Sequence, residues 1–173
     1  MSAEKETPVA APNPLEESRA ALDALFDGSF EKLERSWTVA GGILCLHLAP
    51  FCIPPVCRLL KESPETDFDF LNLITGVDRH PAVPRFEVVV HLRSLKRHQH
   101  LVIRTLLGEE HPEMPSLSSI WKSAEWHERE AFDLVGITFV GHPDLRRILL
   151  PDTWEGHPLR KDFPLEGKGL AAP

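Results

Sequence analysis

From Arg85 to Arg93 the chain alternates: Phe86, Val88, Val90 and Leu92 fall on one side, Glu87, Val89, His91 and Arg93 on the other. A period of two marks a strand with one buried face and excludes an amphipathic helix, whose apolar residues recur every three or four positions. Leu101, Ile103 and Thr105 resume the pattern after a turn around Leu95 to Gln99, so a hairpin is predicted. A two-stranded hairpin is marginal by itself and needs more strands and a covering layer. The rest of the chain can supply both. Strands are expected at Ser36–Ala40, Ile43–Leu48 and Phe68–Thr75. In the last of these Phe68, Phe70, Asn72 and Ile74 face one way, and Asp69, Leu71 and Leu73 the other. Helices are expected from Asn13 or Pro14 to Gly28, from Val56 to Lys61 after Pro54-Pro55, and from Leu117 to Val135. In the last helix Leu117, Ile120, Trp121, Ala124, Ala131, Phe132 and Val135 form one stripe, with Ser116 as the expected N-cap and Gly136 as the stop. The pattern is that of an α+β domain.

The 173 residues suit one domain with tails. Residues 1–13 read as disordered, 14–140 as the globular domain and 141–173 as an extended, non-regular arm. Nineteen Lys and Arg against 26 Asp and Glu give a net charge of -7, which argues against a nucleic-acid footprint spread over the chain. The longest apolar stretch, Thr38 to Ile53, is interrupted by Gly41, Gly42, His47 and Pro50, so no membrane span is expected. Met1 to Pro14 lacks the apolar core of a signal peptide. Cys45, Cys52 and Cys57 are an odd set without CxxC spacing, which fits free thiols in a reducing compartment.

Two residues break the pattern of the last helix. Glu128 falls within the apolar stripe, where an ionised carboxylate needs an Arg or several N–H donors. No second carboxylate, nucleophile or phosphate loop stands beside it, so a structural carboxylate is expected rather than a catalytic acid. Trp126 falls opposite the stripe, beside Lys122, Arg129 and Asp133, and is either incidental or an interface anchor. The outer face of the hairpin is basic, with Arg85, Arg93, Lys96, Arg97 and Arg104 against Glu87, and reads equally as a solvated edge or a partner-facing patch. His98 and His100 could share one strand face as metal ligands, but surface histidines are the simpler expectation. The arm holds Leu145, Ile148, Leu149, Leu150, Trp154, Leu159, Phe163 and Leu165, a content unlike that of a flexible tail. A domain of this size can fold some of these anchors back on itself; the rest are expected to lie on another protein, with proline limiting the entropy lost.

The stretch Glu128-Arg129-Glu130-Ala131-Phe132-Asp133-Leu134-Val135, followed by His142, Arg146, Ile148 and Leu149, resembles the signature of the 30-kilodalton subunit of respiratory complex I, the NADH:quinone oxidoreductase. The continuation Arg147 to Pro151 and Trp154 to Pro164 resembles that family's carboxy-terminal run. The resemblance implies a two-layer α/β sandwich with a mixed, mostly antiparallel sheet. It implies no catalytic, cofactor-binding or metal residue in this chain, with FMN and iron–sulfur clusters held in partner subunits. Glu128, Arg129, Glu130, Asp133, His142 and Arg146 carry over as structural family positions. Trp126, Arg147, Trp154, Leu159, Arg160, Lys161, Asp162 and Phe163 are the expected partner contacts. The implied partners are the 49-kilodalton-type subunit and cluster-bearing subunits of the peripheral arm, with no nucleic acid and only indirect contact with the membrane. The implied place is the cytoplasmic face of a bacterial inner membrane. The chain ends soon after the motif, so no fusion to the 49-kilodalton-type subunit is expected. The alternatives are the equivalent subunit of a membrane-bound [NiFe]-hydrogenase-type complex, a stand-alone small enzyme using Glu128 and a histidine such as His127, or a free binding module.

Overall fold

A computed structural model describes residues 14–164. The expectations for residues 1–13, for Leu165 and for the end of the arm lie outside the described residues. Helix α1 (Pro14–Ser29) leads into strands β1 (Arg35–Ala40) and β2 (Ile43–Leu48). A short 3-10 turn runs into helix α2 (Ile53–Glu62), then strands β3 (Phe70–Asp78), β4 (Phe86–Ser94) and β5 (Gln99–Leu107). Short strands β6 (Glu113–Pro115) and β7 (Thr138–Val140) flank helix α3 (Ala124–Val135). The main sheet has the order β1-β2-β5-β4-β3. Its neighbours are antiparallel except β2 and β5, which run parallel. The helices pack on one face, giving the expected two-layer α+β sandwich with a mixed sheet. β6 and β7 pair in parallel as a separate two-stranded sheet.

The alternation in β4 and β5 does what it predicts. Phe86, Val88, Val90, Leu92, Leu101 and Ile103 are fully buried, and they form one core with Leu44, Leu46, Phe26, Ile53 and Leu60. Cys45 and Cys57 are buried free thiols, and burial pushes the Cys57 thiol well above its usual range.

Three expectations need correction. In β3 the register shifts between Leu71 and Leu73. This bulge lets Leu71 and Ile74 both turn inward and leaves Phe70 exposed, where a strict alternation had paired Phe70 with Ile74. Arg85 is not on an outer basic face; it is 4% exposed. The third helix begins at Ala124, and residues 117–123 form turns instead. Ser116 therefore does not cap it. The Ser116 Oγ accepts the Ser118 N–H at 3.1 Å and donates to Glu128. Gly136 does stop the helix, with φ 82. Gly76 in β3 has a packing reason: a Cβ there would lie 2.6 Å from Ile137 Cδ1, so a larger residue would have to displace that buried methyl.

Candidate partner interface on the carboxy-terminal strap

Glu128 is completely buried. Its Oε1 accepts the Leu117 N–H at 2.6 Å, and its Oε2 accepts the Ser116 hydroxyl at 2.6 Å. Burial raises its pKa, against the opposing pull of those two hydrogen bonds. The carboxyl thus ties the turns before α3 to the helix. A groove of about 450 Å³ lined by Leu15, Leu22, Phe68, Arg97 and His98 includes neither Glu128 nor its partners.

The side of α3 expected to face water holds the larger surprise. Asp133 is also completely buried, because residues 145–164 lie across that side as a strap. Asp133 Oδ2 accepts the N–H groups of Ile148, Leu149 and Leu150 at 3.0, 2.8 and 2.9 Å. Its Oδ1 pairs with Arg147 Nη1 at 2.6 Å. Burial works to raise its pKa, but the N–H of Leu150, the Arg147 guanidinium and the other two N–H groups outweigh it and hold the carboxyl at about 2. Arg147 also donates to the carbonyls of Trp154 and Gly156 at 3.0 and 3.1 Å, so one guanidinium folds the strap around itself. Arg129 donates to the carbonyls of Arg146 and Arg147 and lies over the Trp126 ring at 5.6 Å. His142 Nδ1 accepts the Asp144 N–H, so its Nε2 carries the proton donated to the Glu125 carbonyl at 3.1 Å. Arg146 pairs with Asp144 at the surface, and Glu130 is exposed.

The far half of the strap closes the end of α3. The last carbonyls of a helix have no partner within it. Here the Leu159 N–H reaches the Leu134 carbonyl at 3.0 Å, and Arg160 Nε reaches that of Val135 at 2.7 Å. His157 Nδ1 donates to the Asp133 carbonyl at 2.9 Å. A Cβ on Gly136 would lie 2.5 Å from Arg160 Nη2, so that glycine serves the strap as well as the turn. Beyond it the Lys161 N–H binds Asp78 Oδ2 at 2.9 Å. Buried Arg85 joins Asp78, Glu109 and Asp162 at 2.8, 2.6 and 2.7 Å. The Arg85 guanidinium holds the Asp78 carboxyl well below the usual carboxylate range.

The strap thus turns Arg147, His157 and Arg160 toward the domain and leaves several large apolar side chains outward. Leu149 and Leu159 are 62% and 60% exposed, Trp126 is 61% and Trp154 is 36%. Phe163 is half-buried, close to Gly156. Of the residues expected to meet a partner, Arg147 and Arg160 are bound within the chain. Asp162 pairs with Arg85, and Lys161 reaches the His80 carbonyl. These groups hold the strap in place, and Lys161 and Asp162 remain exposed as well. Asp78 and Arg85 were not singled out as site residues. Two unlike charges at the two ends of the β3–β4 connection were the available signal. Among the described residues no group of three or more His, Cys, Asp or Glu could hold a metal ion. No helix among them is long and apolar enough to cross a membrane.

Comparison with known proteins places this arrangement. Residues 46–169 match the family model of the respiratory-chain NADH dehydrogenase 30 Kd subunit. The chain is 49% identical over 140 residues to a C-type subunit of the NADH-quinone oxidoreductase of Rhizobium meliloti (strain 1021), covering 81% of this chain and 76% of that protein. It is 44% identical over 157 residues to the corresponding NADH-quinone oxidoreductase subunit of Roseiflexus sp. (strain RS-1), covering 91% and 86%. Among solved structures, the trypsin-resistant fragment (1-134) of Nqo5 superposes with a TM-score of 0.58 at 30% identity, over 76% of this chain and 98% of the fragment. A chain of an archaeal membrane-bound sulfane sulfur reductase shares the fold, with a TM-score of 0.71 at 23% identity and 86% of each chain covered. A match over most of the chain, including α3 and the strap, shows that the chain belongs to the family of the 30-kilodalton subunit of the respiratory-chain NADH dehydrogenase, the C-type subunit of NADH-quinone oxidoreductase.

Proposed function

We propose that the chain is a cofactor-free structural subunit of the peripheral arm of proton-translocating NADH:quinone oxidoreductase. It docks through Trp126 and the outward side chains of the strap onto the 49-kilodalton-type subunit. NADH oxidation, FMN and the iron–sulfur clusters then belong to neighbouring subunits, and the complex holds this chain at the cytoplasmic face of a bacterial inner membrane. The observation that carries this reading is a contrast within one segment. Arg160 and the N–H groups of Leu150 and Lys161 are pinned by hydrogen bonds to the domain, while Leu149, Trp154 and Leu159 face outward. Exposed aromatic and aliphatic anchors on a backbone already held in place lose little entropy on docking. Glu128 supports the same reading, since both its oxygens serve the fold. The hydrogenase-type alternative has less support, because relatives at 49% and 38% identity are C-type subunits of NADH-quinone oxidoreductases.

The test is affinity capture of the tagged full-length chain from detergent-solubilised membranes of its host. The 49-kilodalton-type and cluster-bearing subunits are expected in the eluate. A Trp154→Ala, Leu159→Ala double variant should melt like the parent yet recover them poorly. Capture without those subunits, or full recovery by the double variant, would overturn the proposal.

A further inference from the structure

The helices leave the second face of the main sheet open, and β4 and β5 bring two imidazoles together on it. In the pairing of these strands His91 lies opposite Val102, and Arg93 lies opposite His100, so the two histidines are diagonal neighbours. His91 Nε2 and His100 Nδ1 are 3.0 Å apart, with ring centroids at 5.2 Å. The other nitrogen of His91 faces the Asn72 amide at 3.5 Å, from β3. We propose that His91 and His100 form a cis bis-imidazole site for a divalent transition metal of the Cu(II) or Ni(II) type.

The two nitrogens share a hydrogen bond at 3.0 Å. Metal–imidazole bonds are about 2.0–2.1 Å long. Two such bonds meeting near the right angle of square-planar or octahedral coordination span about 3 Å, so the rings can take a metal with little movement. Each ring binds in its neutral form, with its proton on the nitrogen that turns away from the metal. For His91 that is Nδ1, whose N–H the Asn72 carbonyl oxygen accepts once the amide is turned over. As the amide stands, its nitrogen donates to Nδ1, so the His91 proton lies on Nε2 and is donated to His100 Nδ1; a metal displaces that proton, and the turned amide then holds the Nδ1–H and the ring plane. Among the described residues no third His, Cys, Asp or Glu completes a cluster, so water fills the remaining positions and the site exchanges its metal readily. Imidazole nitrogen donors favour the ions at the top of the stability order over Mg(II) or Ca(II), which prefer oxygen ligands; Arg93, the cross-strand neighbour of His100, repels any cation and keeps the affinity modest. The hairpin register alone creates the pair, since the histidines are separated by the whole β4–β5 turn. The proposal is independent of the docking surface on the strap.

The experiment is titration of the full-length chain with Cu(II), followed by electron paramagnetic resonance and calorimetry. One site with two nitrogen ligands is expected. His91→Gln and His100→Gln should each weaken it at least tenfold, Asn72→Ala should weaken it by about tenfold, and His98→Gln should leave it unchanged. Cu(II) below stoichiometry should broaden NMR signals around residues 91 and 100 of the parent chain, which tests the site even if a variant fails to fold. Equal affinity in the parent and both histidine variants, or broadening centred on another histidine, would overturn the assignment.

Discussion

Glu128 and Asp133 are both fully buried on α3, yet their proton affinities move in opposite directions. Glu128 has two hydrogen bonds and a weak pull from His142, which burial outweighs, so its pKa rises. Asp133 has three N–H groups and Arg147, and its pKa falls to about 2. The consequences for stability follow from linkage. A carboxyl whose folded pKa is raised stabilises the fold most at low pH, and the contribution is lost as pH rises through the folded value. The stability difference between the parent and Glu128→Gln should therefore shift against the parent as pH climbs past the carboxylate range; a flat difference in urea titrations would contradict this. Glu128→Ala strands the Leu117 N–H and the Ser116 hydroxyl and should cost about 1–3 kcal/mol, more than Glu128→Gln. Asp133 works the other way. Its contribution, about 2 kcal/mol from the size of the shift, is present above the ordinary aspartate range and disappears as pH falls toward about 2. Asp133→Asn should lose it at neutral pH, which denaturant unfolding would measure.

At the scale of elements, the strap is held by carboxylates at both ends, Asp133 under its first half and the Asp78–Arg85–Asp162 group under its second. Arg85→Ala would leave the buried Asp78 carboxylate without its guanidinium, and breaking a buried pair in this way costs about 3–5 kcal/mol. Both the melting temperature and the protection of residues 157–163 from hydrogen exchange should fall. Release of the strap without loss of stability would contradict that account. The α3 wheel made Glu128 legible, because a carboxylate inside an apolar stripe needs donors. It misplaced Asp133, since a wheel assumes that the polar side of a helix meets water, and here the chain's own later residues cover it. Likewise the periodicity of β4 and β5 showed their core residues, whereas the β3 bulge left no mark in the sequence. An extra residue in a strand costs only local pairing and needs no special side chain at Leu71 to Leu73.

For the whole molecule, the strap can be separated from the core. Its backbone lies outside the main sheet, and among the described residues the apolar core draws on none beyond Leu145. Removing residues 144–173 should leave a folded domain with the circular dichroism of the parent, lower melting temperature and no assembly into the complex. A truncated chain that still enters the complex on a native gel would remove the strap from the interface.

The family, the order of α1–α3 and β1–β5, the face of the hairpin that enters the core and the anomalous carboxylate on α3 were all decided by local pattern, whereas the short β6 and β7 were not. Hydrophobic period, caps and fixed motif gaps are written in neighbouring residues. Three things were decided only in three dimensions: the burial of Arg85 and Asp133, the inward turn of Arg147 and Arg160, and the meeting of His91 with His100. Each depends on strand register or on one segment crossing another far from it in sequence. No window of residues records such a contact, because its energy exists only when both segments are already in place.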